Sequence, residues 1–254
     1  MARRWTLRQL ADRAGVSVGS AQAAEVGQPV SLEIYTRLAV ALGRRPELAL
    51  SSRVGRAPEP FRAGRDIVHA AMGELEARQL SSHGFAIAID EPYQHYQFAG
   101  RADLLGWDLE ARALLHVENK TALPDLQDLA GSYNAKRAYL AAAMAERLNL
   151  GPGGWRTVTH ALVVLWSSEV LHVLRLRPAT FASRCPSPVE PFAAWWAGHP
   201  PAAGVTSSLV ILDPDPVLSS RRSRFVGGDR AGVIEPRYRT YADAAAALDR
   251  PRRP

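Results

Sequence analysis

The chain has 254 residues, of which 47% are hydrophobic and 22% charged, with a formal net charge of +6 and one cysteine. That length allows one large domain or two domains with real cores, and the basic balance favours an acidic partner, nucleic acid first, although arginine-rich coding alone also yields basic proteins. A lone Cys185 excludes an internal disulfide and a four-cysteine zinc site, and the longest apolar strand-like run, Ala161-Leu162-Val163-Val164-Leu165-Trp166, is far too short to span a bilayer.

Residues 1–50 read as short helices. Met1-Ala2-Arg3-Arg4-Trp5 leads into a polar amphipathic stretch and not a signal peptide, so a cytoplasmic setting is expected. Thr6 caps a helix over residues 7–14, with Leu7, Leu10, Ala11 and Ala14 on one face. Gly15-Val16-Ser17 makes a turn, and Ser17 caps a second helix to Glu25. Ser31 opens a third, with Ile34, Leu38, Ala41 and Leu42 at helical spacing, and Gly43 stops it. Residues 51–62 are turn-rich and aperiodic, and read as a linker.

A second domain is expected over residues 63–218. It opens with a helix from Arg65 to Leu80, with Ile67, Val68, Ala71 and Leu75 as its apolar stripe. Strands follow at 85–89, 96–105, 113–117, 158–166 and 170–176, with a helix over 126–148 between the third and fourth. A short helix is expected around Trp195-Trp196, and Leu209–Leu212 reads as a last edge strand. From 219 to 254 the chain is arginine-rich and reads as a basic, largely disordered tail, with Tyr241–Leu248 as a candidate helix.

The chain has only two lysines, Lys120 and Lys136. Lys120 closes the triplet Glu118-Asn119-Lys120, for which chance supplies only about 0.2 acid-x-lysine matches at this composition. Centring the preceding turn on Glu110-Ala111 sets Asp103 directly opposite Glu118, with Lys120 two residues on along the same strand face. Asp103 and Glu118 then form a hard-oxygen pair suited to Mg²⁺ or Mn²⁺. A lysine, unlike an arginine, is tunable by burial and charge, and here would orient a water or stabilise developing charge. The plainer alternative is a solvated strand end, with Glu118 paired to Arg101 or Lys120.

Residues 6–42 resemble the helix-turn-helix of phage-repressor-type (XRE/Cro-like) regulators, through Leu7-Arg8-Gln9-Leu10-Ala11-Asp12-Arg13-Ala14-Gly15-Val16-Ser17 and the run from Leu32 to Gly43. The resemblance implies double-stranded DNA as partner. Ser17, Ser20 and Gln22 would face the major groove and Arg8, Arg13 and Arg37 would hold phosphates. A homodimer is left open. The alternative is a small helical packing domain.

The order helix, strand, strand with Asp103, strand with Glu118-x-Lys120, helix is similar to the PD-(D/E)XK restriction-endonuclease-like fold, over roughly residues 63–180. The expected fold is thus a small all-α helix-turn-helix domain followed by an α/β domain with a mixed sheet. Members of that family often add an acid from the first helix, for which Glu74 is the candidate, and a polar residue from the helix after the lysine, for which Gln127 is the candidate. Two functions remain open. One is a Mg²⁺- or Mn²⁺-dependent DNA phosphodiesterase targeted by its own reading head. The other is a non-enzymatic transcription regulator whose nuclease-like domain is a dimerisation or sensing scaffold.

Overall fold

A computed structural model describes residues 5–26, 28–44, 63–95, 98–215 and 223–249. The chain forms two compact units, Met1–Phe61 and Arg62–Pro254. The linker expected at 51–62 lies outside the described residues.

The first unit contains α1 (Leu7–Ala14), α2 (Val18–Glu25) and α3 (Leu32–Ala41). All three begin where the capping residues predict. Thr6 accepts from the Gln9 backbone while the Gln9 side chain accepts from the Thr6 N–H, a reciprocal cap. Ser17 and Ser31 accept from Ser20 and Ile34. Gly15, at φ 63°, ends α1 in a left-handed conformation that a side chain would strain. The three helices close on Ala11, Ala14, Ala21 and Leu38, and the three alanines let the helices approach closely.

The second unit is a six-stranded mixed sheet in the order β1-β2-β3-β4-β5-β6. The strands are β1 (Ala86–His95), β2 (Phe98–Asp108), β3 (Ala113–Lys120), β4 (Thr157–Leu165), β5 (Gly204–Leu212) and β6 (Phe225–Gly227). The first three run antiparallel, β3, β4 and β5 run parallel, and β6 returns antiparallel. Parallel central strands are covered on both faces, so β4 is buried along its whole length. Helix α4 (Ala63–Ser82) precedes β1, and α5 (Leu126–Arg147) carries the chain from β3 to β4. Between β4 and β5 lie α6 (Ser168–Leu176), α7 (Pro178–Arg184) and α8 (Glu190–Trp196).

Three expectations need correction. Residues 170–176 are the helix α6 and not a strand. Ser167 caps it, and Val170, Leu171 and Leu174 are buried at helical spacing, which outweighs the strand-like composition of the run. Leu209–Leu212 is no edge: it is the inner half of β5, flanked by β4 and β6. The stretch read as a disordered tail is ordered over 223–249. It supplies β6, a 3₁₀ turn (Gly228–Gly232) and α9 (Tyr241–Leu248), and it buries Ala231, Tyr238 and Ala244 in the core. The segment is anchored by a sequence-distant tryptophan: Arg237 lies 4.5 Å above the Trp166 ring, and Trp166 Nε1 donates to the Glu235 carbonyl. Among the described residues no helix is long and apolar enough to cross a membrane.

Candidate active site

The β2–β3 hairpin sets the site. Asp108 Oδ1 accepts from the backbone N–H groups of Glu110 and Ala111, a side-chain-stabilised turn that fixes the loop length. Leu104 therefore pairs with Val117 and Leu105 with His116, the register expected from a turn centred on Glu110-Ala111. Asp103 and Glu118 are the next residues along this ladder. Opposite Asp103 on the other side of β2, Asp90 adopts φ 52°, and the β1–β2 pairing passes from Ile89↔Leu104 to Glu91↔Ala102. Beside this irregularity Asp103 meets α4, where His69 Nε2 lies 3.3 Å from its Oδ2.

Asp103, Glu118 and Lys120 converge. The Lys120 ammonium is 2.7 Å from Glu118 Oε1, 3.8 Å from Asp103 Oδ2 and 3.1 Å from the Asn119 carbonyl oxygen. The Asn119 backbone N–H donates to Asp103 Oδ2 at 2.7 Å. Glu118 is buried, whereas the Lys120 side chain is 30% exposed, so the cluster opens to solvent on the lysine side. Burial alone would lower the Lys120 pKa, but Glu118 and then Asp103 outweigh it and the net shift is upward. Lys120 is an ammonium here, not a tuned neutral amine. Burial likewise raises Glu118, yet the His116 ring, Lys120 and Lys136 together hold its carboxyl well below the ordinary range.

The other candidates fall elsewhere. Glu74 is exposed on α4, and the acid that reaches the strand is Glu76. Among the described residues of α4 the buried positions are Val68, Met72, Glu76, Ala77 and Leu80, with Val68, Met72, Glu76 and Leu80 recurring every fourth residue. Ile67, taken as part of the stripe, is 52% exposed, so the helix is rotated by about one residue from the expected phase. A glutamate inside an i+4 run of core residues was the signal for Glu76. Gln127 lies exposed in the first turn of α5. The α5 residue that reaches the site is Lys136, buried and bonded to Glu118 Oε2. Its sequence signal was its rarity, as the only lysine besides Lys120.

Below Glu118 on the same face, His116 Nδ1 and His160 Nδ1 are 3.2 Å apart, which requires one donor and one acceptor. Burial lowers both, His160 to about 3, so the pair is neutral.

Comparison of the chain with protein-family models, with curated proteins and with solved structures finds no match. The geometry alone therefore decides how the cluster is read. Among the described residues no group of three or more histidine, cysteine, aspartate and glutamate side chains is placed to hold a metal ion. Asp103 and Glu118 present two carboxylates to one positive centre, and hard oxygens are what Mg²⁺ and Mn²⁺ require, so the donor chemistry fits such an ion with further ligands from water or substrate.

In the first unit, Arg8 and Gln22 are exposed. The Ser17 and Ser20 hydroxyls are engaged with each other at 2.8 Å, and Ser17 also serves as the α2 cap. Arg13 stacks 4.6 Å from the Trp5 ring. Arg37 ties α3 to the α1–α2 turn, donating to the Gly15 carbonyl and to Glu33 at 2.6 Å.

Proposed function

We propose that the second unit is a Mg²⁺- or Mn²⁺-dependent phosphodiesterase acting on DNA, and that the three-helix unit is a helix-turn-helix that brings it to double-stranded DNA. The observation that carries this reading is the Lys120 ammonium held between Asp103 and Glu118 on adjacent strands, at the solvent-facing end of the cluster. The order α4-β1-β2-β3-α5-β4 and the restriction-endonuclease-like sequence pattern support it.

Asp103 and Glu118 would hold the ion, which when bound supplies positive charge at the scissile phosphate and acidifies a water. Asn119 fixes Asp103 through its backbone N–H, and His69 steadies the same oxygen. Lys120 stays protonated, so it does not take a proton from water. It donates hydrogen bonds to a phosphate oxygen or to the attacking water and stabilises negative charge as it develops. Exposed Gln22 is suited to an adenine edge and Arg8 to phosphate.

A second reading rests on Lys136. With Lys120 on one oxygen of Glu118 and Lys136 on the other, the two acids and two lysines already balance in charge. That favours a transcription regulator on a nuclease-like scaffold. Purified protein incubated with supercoiled plasmid and with single- and double-stranded DNA, with Mn²⁺ or EDTA, beside Asp103→Ala and Lys120→Ala, separates the two. Cutting that needs Mn²⁺ and is lost in both variants supports the enzyme. Salt-sensitive duplex binding without cutting, unchanged in both variants, leaves the regulator.

A further inference from the structure

Two buried acceptor atoms near the site lack a donor, Glu76 Oε1 and Asn119 Oδ1. They belong to residues already joined, since Asn119 Nδ2 donates to Glu76 Oε2 at 2.7 Å. Glu76 is 0% exposed and Asn119 1%. An ionised glutamate offers no hydrogen to the Asn119 carbonyl oxygen, and leaving both acceptors unpaired in the core is costly. One proton on Glu76 Oε1 would satisfy both. The acid O–H would then donate to Asn119 Oδ1 while the amide N–H donates to Oε2, and the two hydrogen bonds would close a ring. Turning the amide over would set two acceptors face to face, which equally demands a proton on Glu76.

We propose that Glu76 is a neutral carboxylic acid whose cyclic pair with the Asn119 amide positions the Glu118-Asn119-Lys120 triplet. Asn119 is the residue through which this matters. Its backbone N–H holds Asp103 and its carbonyl holds the Lys120 ammonium. A helix residue on one face of β3 thereby sets the main chain between the two side chains that project toward the other face. Glu76 acts through Asn119 and is a positioning residue.

The electrostatics agree with the geometry. Burial pushes Glu76 up to about 8, against a smaller opposing effect of the Asn119 hydrogen bond. Helix α4 packs against β1, β2, β3, α8 and α9. Among the described residues the charged group acting on Glu76 is Asp103 of β2, and its negative charge pushes the same way. Met72 and Leu80, one turn to either side on α4, are fully buried.

This inference bears on the site of the proposed phosphodiesterase, but its test needs no activity. Full-length wild type, Glu76→Gln and Glu76→Ala would be compared by infrared spectroscopy, by thermal unfolding across pH, and by hydrogen exchange at the Asn119 amide. Glutamine carries an N–H where the acid carries its O–H, so the ring survives at every pH. The wild type is expected to show a carboxylic-acid carbonyl band at neutral pH, absent in Glu76→Gln and lost above about pH 8. The folded state keeps this proton after the unfolded chain has released it, so the contribution of Glu76 to wild-type stability falls as pH rises toward that value. That slope disappears in Glu76→Gln. Asn119 exchange stays slow in Glu76→Gln and quickens at least about 10-fold in Glu76→Ala, the loss expected for an amide whose anchor is removed. An ionised Glu76 at neutral pH, an unchanged pH slope in Glu76→Gln, or slow exchange in Glu76→Ala each overturns the proposal. If these hold while no DNA is cut, the phosphodiesterase reading fails and the Glu76–Asn119 pair stands.

Discussion

Lys136, on α5, bonds Glu118 Oε2 from inside the protein while Lys120 holds Oε1 from the solvent side. The chain's two lysines thus meet on one carboxylate. The Lys136 side chain is 5% exposed, against 30% for Lys120. Removing Lys136 leaves the buried Glu118 carboxylate with Lys120 as its one lysine partner, and that from the solvent side, so its charge in the core is only partly compensated. Lys136→Ala is therefore expected to destabilise the second unit by about 3–5 kcal/mol in urea unfolding, whereas Lys120→Ala costs much less because solvent reaches its head. Adding Glu118→Gln to Lys136→Ala should recover part of the loss. Equal effects of the two lysine variants would remove the distinction between an interior and a mouth lysine.

The hairpin shows how far local sequence reaches. Asp108 and the short loop behind it dictate the β2–β3 register, and from that register Asp103, Glu118 and Lys120 follow without knowledge of the rest. Glu76 and Lys136 depend instead on helix rotation. The phase of α4 is set by Val68, Met72 and Leu80 packing on the sheet, and Glu74 and Glu76, two residues apart and so on nearly opposite faces, fall one exposed and one buried. For residues 223–249, charge argued for disorder. The contacts that order the segment, at Trp166 and Asp213, lie tens of residues away and leave no periodic trace.

His160 is expected to resist protonation. Burial holds its folded pKa near about 3, while in the unfolded chain it titrates at its ordinary value. The unfolded state therefore binds the extra proton first as pH falls, and stability is lost below about pH 6.5, progressively down to about pH 3. His160→Gln, which cannot charge, should flatten this part of the acid-unfolding profile. Side-chain NMR should show the His160 ring neutral at pH 5; a ring that titrates near pH 6.5 would contradict the buried neutral pair with His116.

Within the three-helix unit, the exposed and the engaged polar residues should separate experimentally. Arg8→Ala is expected to weaken duplex binding about evenly across sequences and to lower the salt slope by about 1. Gln22→Ala should instead reduce discrimination between sites by about 1–3 kcal/mol. Ser17→Ala acts on folding, because the hydroxyl caps α2, and should cost about 1 kcal/mol of stability in that unit. Binding curves at several salt concentrations, beside thermal melts, distinguish the three. If Gln22→Ala changes affinity equally for all sequences, α2 does not read bases.

The C-terminal segment should prove structural. Tyr238 is buried and its hydroxyl donates to Asp213 Oδ1 at 2.5 Å, a charge-assisted bond at the end of β5. Arg237, 3.7 Å from the other Asp213 oxygen and stacked on Trp166, closes the same cluster. Tyr238→Phe leaves Asp213 with one donor fewer in a buried setting and is expected to cost about 1.5–3 kcal/mol. Deleting residues 223–254 would expose Trp166 and strip β6 from β5. That deletion should make the second unit sensitive to proteolysis at concentrations of enzyme that leave the full chain intact. A truncated protein as protease-resistant as the whole would show that β5, not the segment beyond it, ends the folded core.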